Sequence, residues 1–276
     1  SPEHFDIKYS INPHMTDQSG SLKKIDHVKA QLQWNQLKEK LESLDLKVTV
    51  LPGQKNLCDM VFAANQSFLF LNPATGGFEV LISKMRSEFR KPETLYFFNW
   101  YKENGFKTYT PEDLNLTDIN FSYEGNGDMI PHPDFSFYWG GVGPRTDYEV
   151  YKSIEKKFRL KFETLNLIHP DFYHLDTCLF LLNTTAAAYV EEAFDPESCK
   201  KLKLKFKSLI KINISEAKKY FAGNAFCPDG KNVIIHPGAE TLKEDLHQHN
   251  FKIHEVDTSE FIKSGGSVFC LKMALV

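Results

Sequence analysis

The chain has 276 residues, of which 42% are hydrophobic and 25% charged. That balance excludes a disordered chain and a small scaffold held by disulfides or metal. A net charge of −3 and a pI near 6.4 give no sign of a nucleic-acid binder, and no apolar run is long enough to span a membrane. His4, Asp6, Lys8, Asn12 and Asp17 rule out a signal peptide over the first twenty positions. Cys58, Cys178, Cys199, Cys227 and Cys270 are scattered and never spaced as CxxC. They fit a reducing cytoplasm and offer no zinc site.

Ile25, Val28, Leu32, Leu37, Leu41 and Leu44 fall mostly three or four apart, which predicts an amphipathic helix over 21–44. Leu46, Val48 and Val50 alternate with polar residues and predict a strand. A helix is expected from Thr94 to Asn104, ended by Gly105, then a strand from Lys107 to Thr110. Further helices are expected over 147–158 and 242–249, with a strand at 251–256. Lys200 to Lys207 alternates Lys with Leu and Phe, as a solvated face beside a core strand would. No Gly/Ser/Pro-rich linker divides the chain, so residues 1–276 read as a single domain.

Polar residues recur at or near apolar strand runs: Asn12, Asn65, Glu124, His174, Asn224 and Cys270. Their steps are 53, 59, 50, 50 and 46 residues. Five intervals of about fifty suggest five similar units around an axis, with these residues meeting at the centre.

Several of these residues can carry chemistry. Cys270 follows Gly265-Gly266-Ser267, where backbone could approach a ligand and leave amides free to point at it. Taken alone it reads first as a buried core cysteine, and a nucleophilic role needs a base nearby. On a strand, His174 and Asp176 would share a face, imidazole for proton transfer and carboxylate for a cation. Glu124 opens EGNGD, a tight turn with a second acid at Asp128. It lacks the pattern of a phosphate-binding loop. Asp59 and Asn65 flank Met60-Val61-Phe62. Arg90 and Arg145 could each fork a carboxylate. The histidines form no metal cluster.

The ordered set INPHM, DMVFAAN, EGNGD, HLDT and GGSVFC resembles the guanidino-group modifying enzymes of the pentein superfamily. It is most similar to the arginine dihydrolase type, over about Phe5 to Leu271. The resemblance implies an α/β fold, a five-bladed propeller of ββαβ units with pseudo-fivefold symmetry, with neither cofactor nor metal. It implies Cys270 as nucleophile and His174 as general acid/base. Glu124 and Asp176 would hold the substrate guanidinium. Asn65 takes the place of a substrate-binding Asp of the deiminases. Asp59 would hold the α-ammonium, Arg90 and Arg145 the α-carboxylate, and Asn12 matches the N-terminal Asn of dihydrolases. Ala63 and Gln66-Ser67 depart from the usual pattern beside Asn65.

The expected reaction is hydrolysis of L-arginine through a covalent thiouronium on Cys270. It would give citrulline and ammonia, or ornithine, ammonia and carbon dioxide after a second step. A methylarginine hydrolase and an amidinotransferase are the rivals within the superfamily. A non-enzymatic binding protein on this fold would lack the Cys, His and acid set. A Cys-His protease would not need two further acids.

Overall fold

The structure is a computed structural model and describes residues 1–114 and 121–275. Helix α1 (His27–Glu42) opens it, with Asp26 accepting from the Lys29 amide at 3.0 Å as N-cap. A ββαβ pattern then recurs. β1 (Ser67–Leu71) pairs antiparallel with β2 (Phe78–Ile82), and α2 (Glu93–Glu103) carries the chain to β3 (Lys107–Tyr109), parallel to β2. A short turn, α3 (Gly125–Asp128), leads into β4 (Met129–Pro131), β5 (Tyr138–Val142), α4 (Tyr148–Phe158) and β6 (Phe162–Asn166). β4 and β5 are antiparallel, β5 and β6 parallel.

The third unit repeats this pairing with β7 (Leu179–Asn183), β8 (Ala186–Tyr189), α5 (Pro196–Lys205) and β9 (Ser208–Lys211). After α6 (Ile214–Tyr220), the fourth unit is reduced. Phe226 bridges to Ile234 of β10 (Asn232–Ile235), and α7 (Glu240–Gln248) leads to the parallel β11 (Lys252–Glu255). α8 (Ser259–Ile262) packs on α1 near the C-terminus. Four sheets thus appear among the described residues, where five units were expected.

Burial explains the pattern. β1, β2, β7 and β8 are covered on both faces, so they read as near-continuous apolar runs instead of alternating ones. α4 buries Val150, Tyr151, Ile154 and Phe158 and exposes its lysines. α5 starts at Pro196 behind the Asp195 cap.

Three expectations are corrected. α1 buries Leu37 and Leu41 as expected, but Val28 and Leu32 are 74% and 57% exposed, and Ala30 and Gln33 are buried in their place. Polar Gln33 belongs inside because it bonds Ser259 Oγ at 2.9 Å and accepts from the Glu260 amide at 3.0 Å. Residues 46–50 keep their alternation of half-buried and exposed positions through Thr49 but form no strand. Lys200–Lys205 is solvated beside a strand as expected, with Lys201 Nζ on the Thr164 carbonyl of β6, but it lies on α5, so strict alternation fails: Leu202 is buried while Leu204 is 77% exposed.

Candidate active site

The site is built from turns that precede the sheets. Asn65 lies in the turn before β1, and Glu124 caps α3 before β4. His174 opens, and Asp176 sits within, a 3₁₀ turn at Leu175–Thr177 before β7. Asn224 ends another at Ala222–Asn224, and Cys270 lies in the C-terminal turn. The strand expected for His174 and Asp176 is therefore a tight turn. The alternation rule does not govern their directions.

Cys270 is 3% exposed, and its Sγ lies 3.1 Å from Asp176 Oδ2. Burial first, then Asp176, push its thiol well up. Burial raises Asp176 to about 7, the Cys270 contact opposing the rise. Two residues on, Lys272 is half-buried, its Nζ 3.4 Å from the Phe269 ring centre and 4.0 Å from that of Phe226. Desolvation lowers its ammonium to about 7, while Asp176 and Cys270 pull it upward.

His174 Nε2 lies 2.8 Å from Glu124 Oε2 and 4.0 Å from Asp128 Oδ2. Glu124 Oε2 also accepts from Arg145 Nη1 at 3.0 Å, and its Oε1 accepts from the Arg86 amide at 3.0 Å. Both oxygens are spent within the protein. The geometry makes Glu124 the group that orients His174 rather than a free carboxylate for a guanidinium. Burial would raise Glu124, but Arg145 and the His174 bond outweigh it and hold the carboxyl well below its usual range. Asp128 accepts from the Leu175 amide at 2.9 Å and from Thr146 Oγ1 at 2.7 Å. Burial lifts it to about 6.

The other wall is equally ordered. Arg90 bonds Glu93 through Nε and Nη2, Asn65 Oδ1 through Nη1 at 3.0 Å, and the Asp59 carbonyl at 3.1 Å. It braces the wall, so the expectation of a free fork for a carboxylate is not met. Arg145 is split between Glu124 and the Ile11 carbonyl, the latter at 2.8 Å. Asp59 is buried and accepts from Ser264 Oγ at 3.0 Å; burial raises its pKa, Arg90 opposing. Asn12 donates to the Ser264 carbonyl at 2.9 Å and accepts from the His14 amide.

A narrow pocket, with room inside for about 20 Å³, joins these walls. It is lined by Asn12, Asp59, Asn65, Arg90, Arg145, His174 and Cys270, together with Ile11, Met15, Phe62, Tyr173, Ser264 and Gly265. Asp59 Oδ2, Asn65 Nδ2 and Asp176 Oδ1 are buried there or beside it without a protein partner. Gly265 and Gly266 do not present amides to the cavity: these donate to the Ile262 and Phe261 carbonyls. Their role is space, since a Cβ on Gly266 would overlap Phe62. The sequence reading left Asn224, Glu93 and Lys272 outside the site. Only Asn224 carried a signal, its place in the fifty-residue spacing.

Residues 1–276 match the family described as N,N dimethylarginine dimethylhydrolase, eukaryotic. The bifunctional arginine dihydrolase/ornithine cyclodeaminase ArgZ of Synechocystis is 32% identical over 99% of this chain and 36% of its own length. The chain thus spans about a third of that protein. The N(G),N(G)-dimethylarginine dimethylaminohydrolase of Mycobacterium tuberculosis is 28% identical over 99% of this chain and 83% of its own. The crystal structure of the N-terminal domain of ArgZ, an arginine dihydrolase from cyanobacteria bound to substrate, superimposes with a TM-score of 0.87. That match is 30% identical and covers 98% of this chain and 94% of that one. With Cys270, His174 and the acids brought together in one buried cleft, the chain belongs to the N,N-dimethylarginine dimethylhydrolase family, guanidino-group hydrolases with a catalytic cysteine.

Proposed function

We propose that the protein hydrolyses L-arginine in two steps to ornithine, two ammonia and carbon dioxide. One observation carries this reading. The site has an unpaired acceptor, Asp176 Oδ1, and an unpaired donor, Asn65 Nδ2, both buried. A guanidinium offers only N–H donors and suits Asp176. A ureido group adds a carbonyl oxygen, and a fixed amide N–H at Asn65 suits that oxygen. An Asp at this position would repel it.

Asp59 would hold the α-ammonium and Arg145, already aimed into the cavity, the α-carboxylate. Asn12 would keep the Ser264 segment beside them.

The resting thiol is neutral, and the substrate cation supplies what the thiolate needs. Guanidinium binding would lower both Asp176 and Cys270. Cys270 Sγ then bonds to the guanidinium carbon, and His174 gives a proton to the departing ammonia. Water, losing its proton to His174, cleaves the thiouronium and releases citrulline. Repetition on the ureido carbon expels a second ammonia, and the carbamate freed by water loses carbon dioxide to leave ornithine.

The nearby relatives include enzymes named for arginine and for dimethylarginine. Dimethylarginine hydrolysis is the second reading, because the matching family carries that name. In the proposed whole, four ββαβ units and the terminal segments form a five-bladed ring in a single catalytic domain acting in the cytoplasm. The test is incubation of the purified protein with L-arginine, quantifying citrulline, ornithine and ammonia together. About two ammonia and one ornithine per arginine are expected. Citrulline with one ammonia would reduce the reading to a deiminase, and turnover of dimethylarginine alone would replace it.

A further inference from the structure

We propose that Asn224 is a catalytic residue, its side-chain N–H the donor that holds Cys270 Sγ as a thiolate once substrate occupies Asp176. The proposal rests on the guanidino chemistry above and adds to it a group touching the reacting atom.

The orientation of the amide follows from its partners. Oδ1 accepts from the backbone N–H of Ser267 at 3.0 Å and of Cys270 at 3.2 Å. Two donors can meet only the oxygen. Nδ2 therefore faces the other way, toward the Asp176 carbonyl at 2.7 Å and Cys270 Sγ at 3.1 Å. Two acceptor and two donor positions are all used, so the amide cannot flip without losing four bonds. Asn224 is 1% exposed. Its own carbonyl accepts from the Phe269 amide at 3.0 Å, which ties the cysteine turn a further time.

The sulfur thus has two side-chain neighbours of opposite kind. Asp176 Oδ2 can only accept while ionised, so it favours the thiol S–H. Asn224 can only donate toward the sulfur, and such a bond strengthens when the sulfur is anionic. Burial and Asp176 push the thiol up, whereas the Ser267 amide and Asn224 act in the opposite sense. When a guanidinium takes the Asp176 oxygens, the thiol proton passes to His174, which lines the same pocket and later gives it to the departing ammonia, and the acceptor contact has no further use. The Asn224 contact survives unchanged through attack. It also holds the sulfur in place when water expels it as a thiolate at the end of each step.

The test uses the full chain without substrate. The rate of Cys270 alkylation by iodoacetamide is followed by peptide mass spectrometry from pH 6 to 10 in wild type, Asn224→Asp and Asn224→Ser. Asn224→Asp keeps the shape and puts a charge where the donor was. It is expected to slow alkylation at pH 7.5 about tenfold or more and to move the profile up by about one pH unit, with Asn224→Ser between it and wild type. Profiles that superimpose in variants with the wild-type melting temperature overturn the proposal. If neither variant folds, wild-type protein decides. The Asn224 side-chain amide proton is expected to shift in NMR spectra as Cys270 titrates and to stay still in Cys270→Ser; no shift in wild type overturns the proposal. The readout needs no turnover, so failure to hydrolyse arginine would sink the proposed function without touching it.

Discussion

Arg90 Nη1 donates to Asn65 Oδ1 at 3.0 Å, and this bond decides which side of the amide the cavity meets. Glu93 holds Arg90 from behind, through a buried ion pair with Nη2 to Oε2 at 3.0 Å. With its oxygen taken by Arg90, the Asn65 N–H is left buried without a protein partner. Asn65→Asp should therefore keep the first hydrolysis and impair the second. We expect the ornithine-to-citrulline ratio to fall about tenfold or more, as when a site built to donate to an oxygen meets it with a charge. An unchanged ratio would count against any role for Asn65 in product choice.

Cys270→Ser should abolish turnover and leave arginine binding within a few-fold of wild type. The wild-type protein quenched in acid during turnover should carry a mass adduct on the Cys270 peptide. An active serine variant would end the covalent mechanism.

Protonation should register in stability. Burial raises Asp176 to about 7 and Asp128 to about 6. In the unfolded chain such carboxyls ionise near pH ~4. Between those values the folded protein holds protons that the unfolded chain has released, so each group opposes folding increasingly as pH rises from ~4 to about 7. Glu124, held low, acts in reverse. Its contribution is present above the usual carboxylate pKa and disappears as pH falls through its depressed one. Asp176→Asn should thus be more stable than wild type at pH 8, on the order of 2–4 kcal/mol, and similar to it near pH 4. Equal stability at pH 8 would contradict a raised Asp176.

The same balance predicts proton release on binding. Arginine entering Cys270→Ser near pH 6.5 should expel a fraction of a proton from Asp176. Titration calorimetry in buffers of different ionisation enthalpy reads this directly. Heats independent of buffer would mean that Asp176 is already ionised.

The two glycines that flank Asn126 should fail differently. A Cβ on Gly127 would overlap Asn65 Nδ2 and press on His174 Cγ at 3.4 Å. Gly127→Ala should displace functional side chains and cost about 100-fold in kcat with modest loss of stability. Gly125 has φ +49°, and its Cβ would strike the Ser67 backbone, which has no side-chain freedom to yield. Gly125→Ala should destabilise by about 2–3 kcal/mol or more. Thermal melts beside kinetic assays separate the two.

What could be read from the sequence depended on how local its cause was. α4 and α7 were visible because their apolar positions keep one period and their partners are close in sequence. α1 misled because Val28 and Leu32 imitate a buried stripe, while the true one contains Gln33, whose partners on α8 lie over two hundred residues away. Of the motif residues, Cys270, His174, Asp59 and Asn65 line one cleft, and Asp176 and Glu124 bond to Cys270 and His174 behind it. The roles of Glu124 and Arg90 were not legible, because they depend on the bonds to Arg145 and Glu93. Asn224 was marked only by spacing, since an asparagine's function lies in the partners it joins.

The hydrogen bonds that define the cleft span the chain: 46 residues for Asn224 to Cys270, 94 for Cys270 to Asp176, 205 for Ser264 to Asp59 and 252 for Asn12 to Ser264. Each closes a loop whose entropy must be overcome before the contact returns any energy. Individual sheets, with strands tens of residues apart or fewer, can form long before these bonds do. A refolding chain should therefore regain its circular dichroism well ahead of its activity, and a population with native secondary structure can still be catalytically silent.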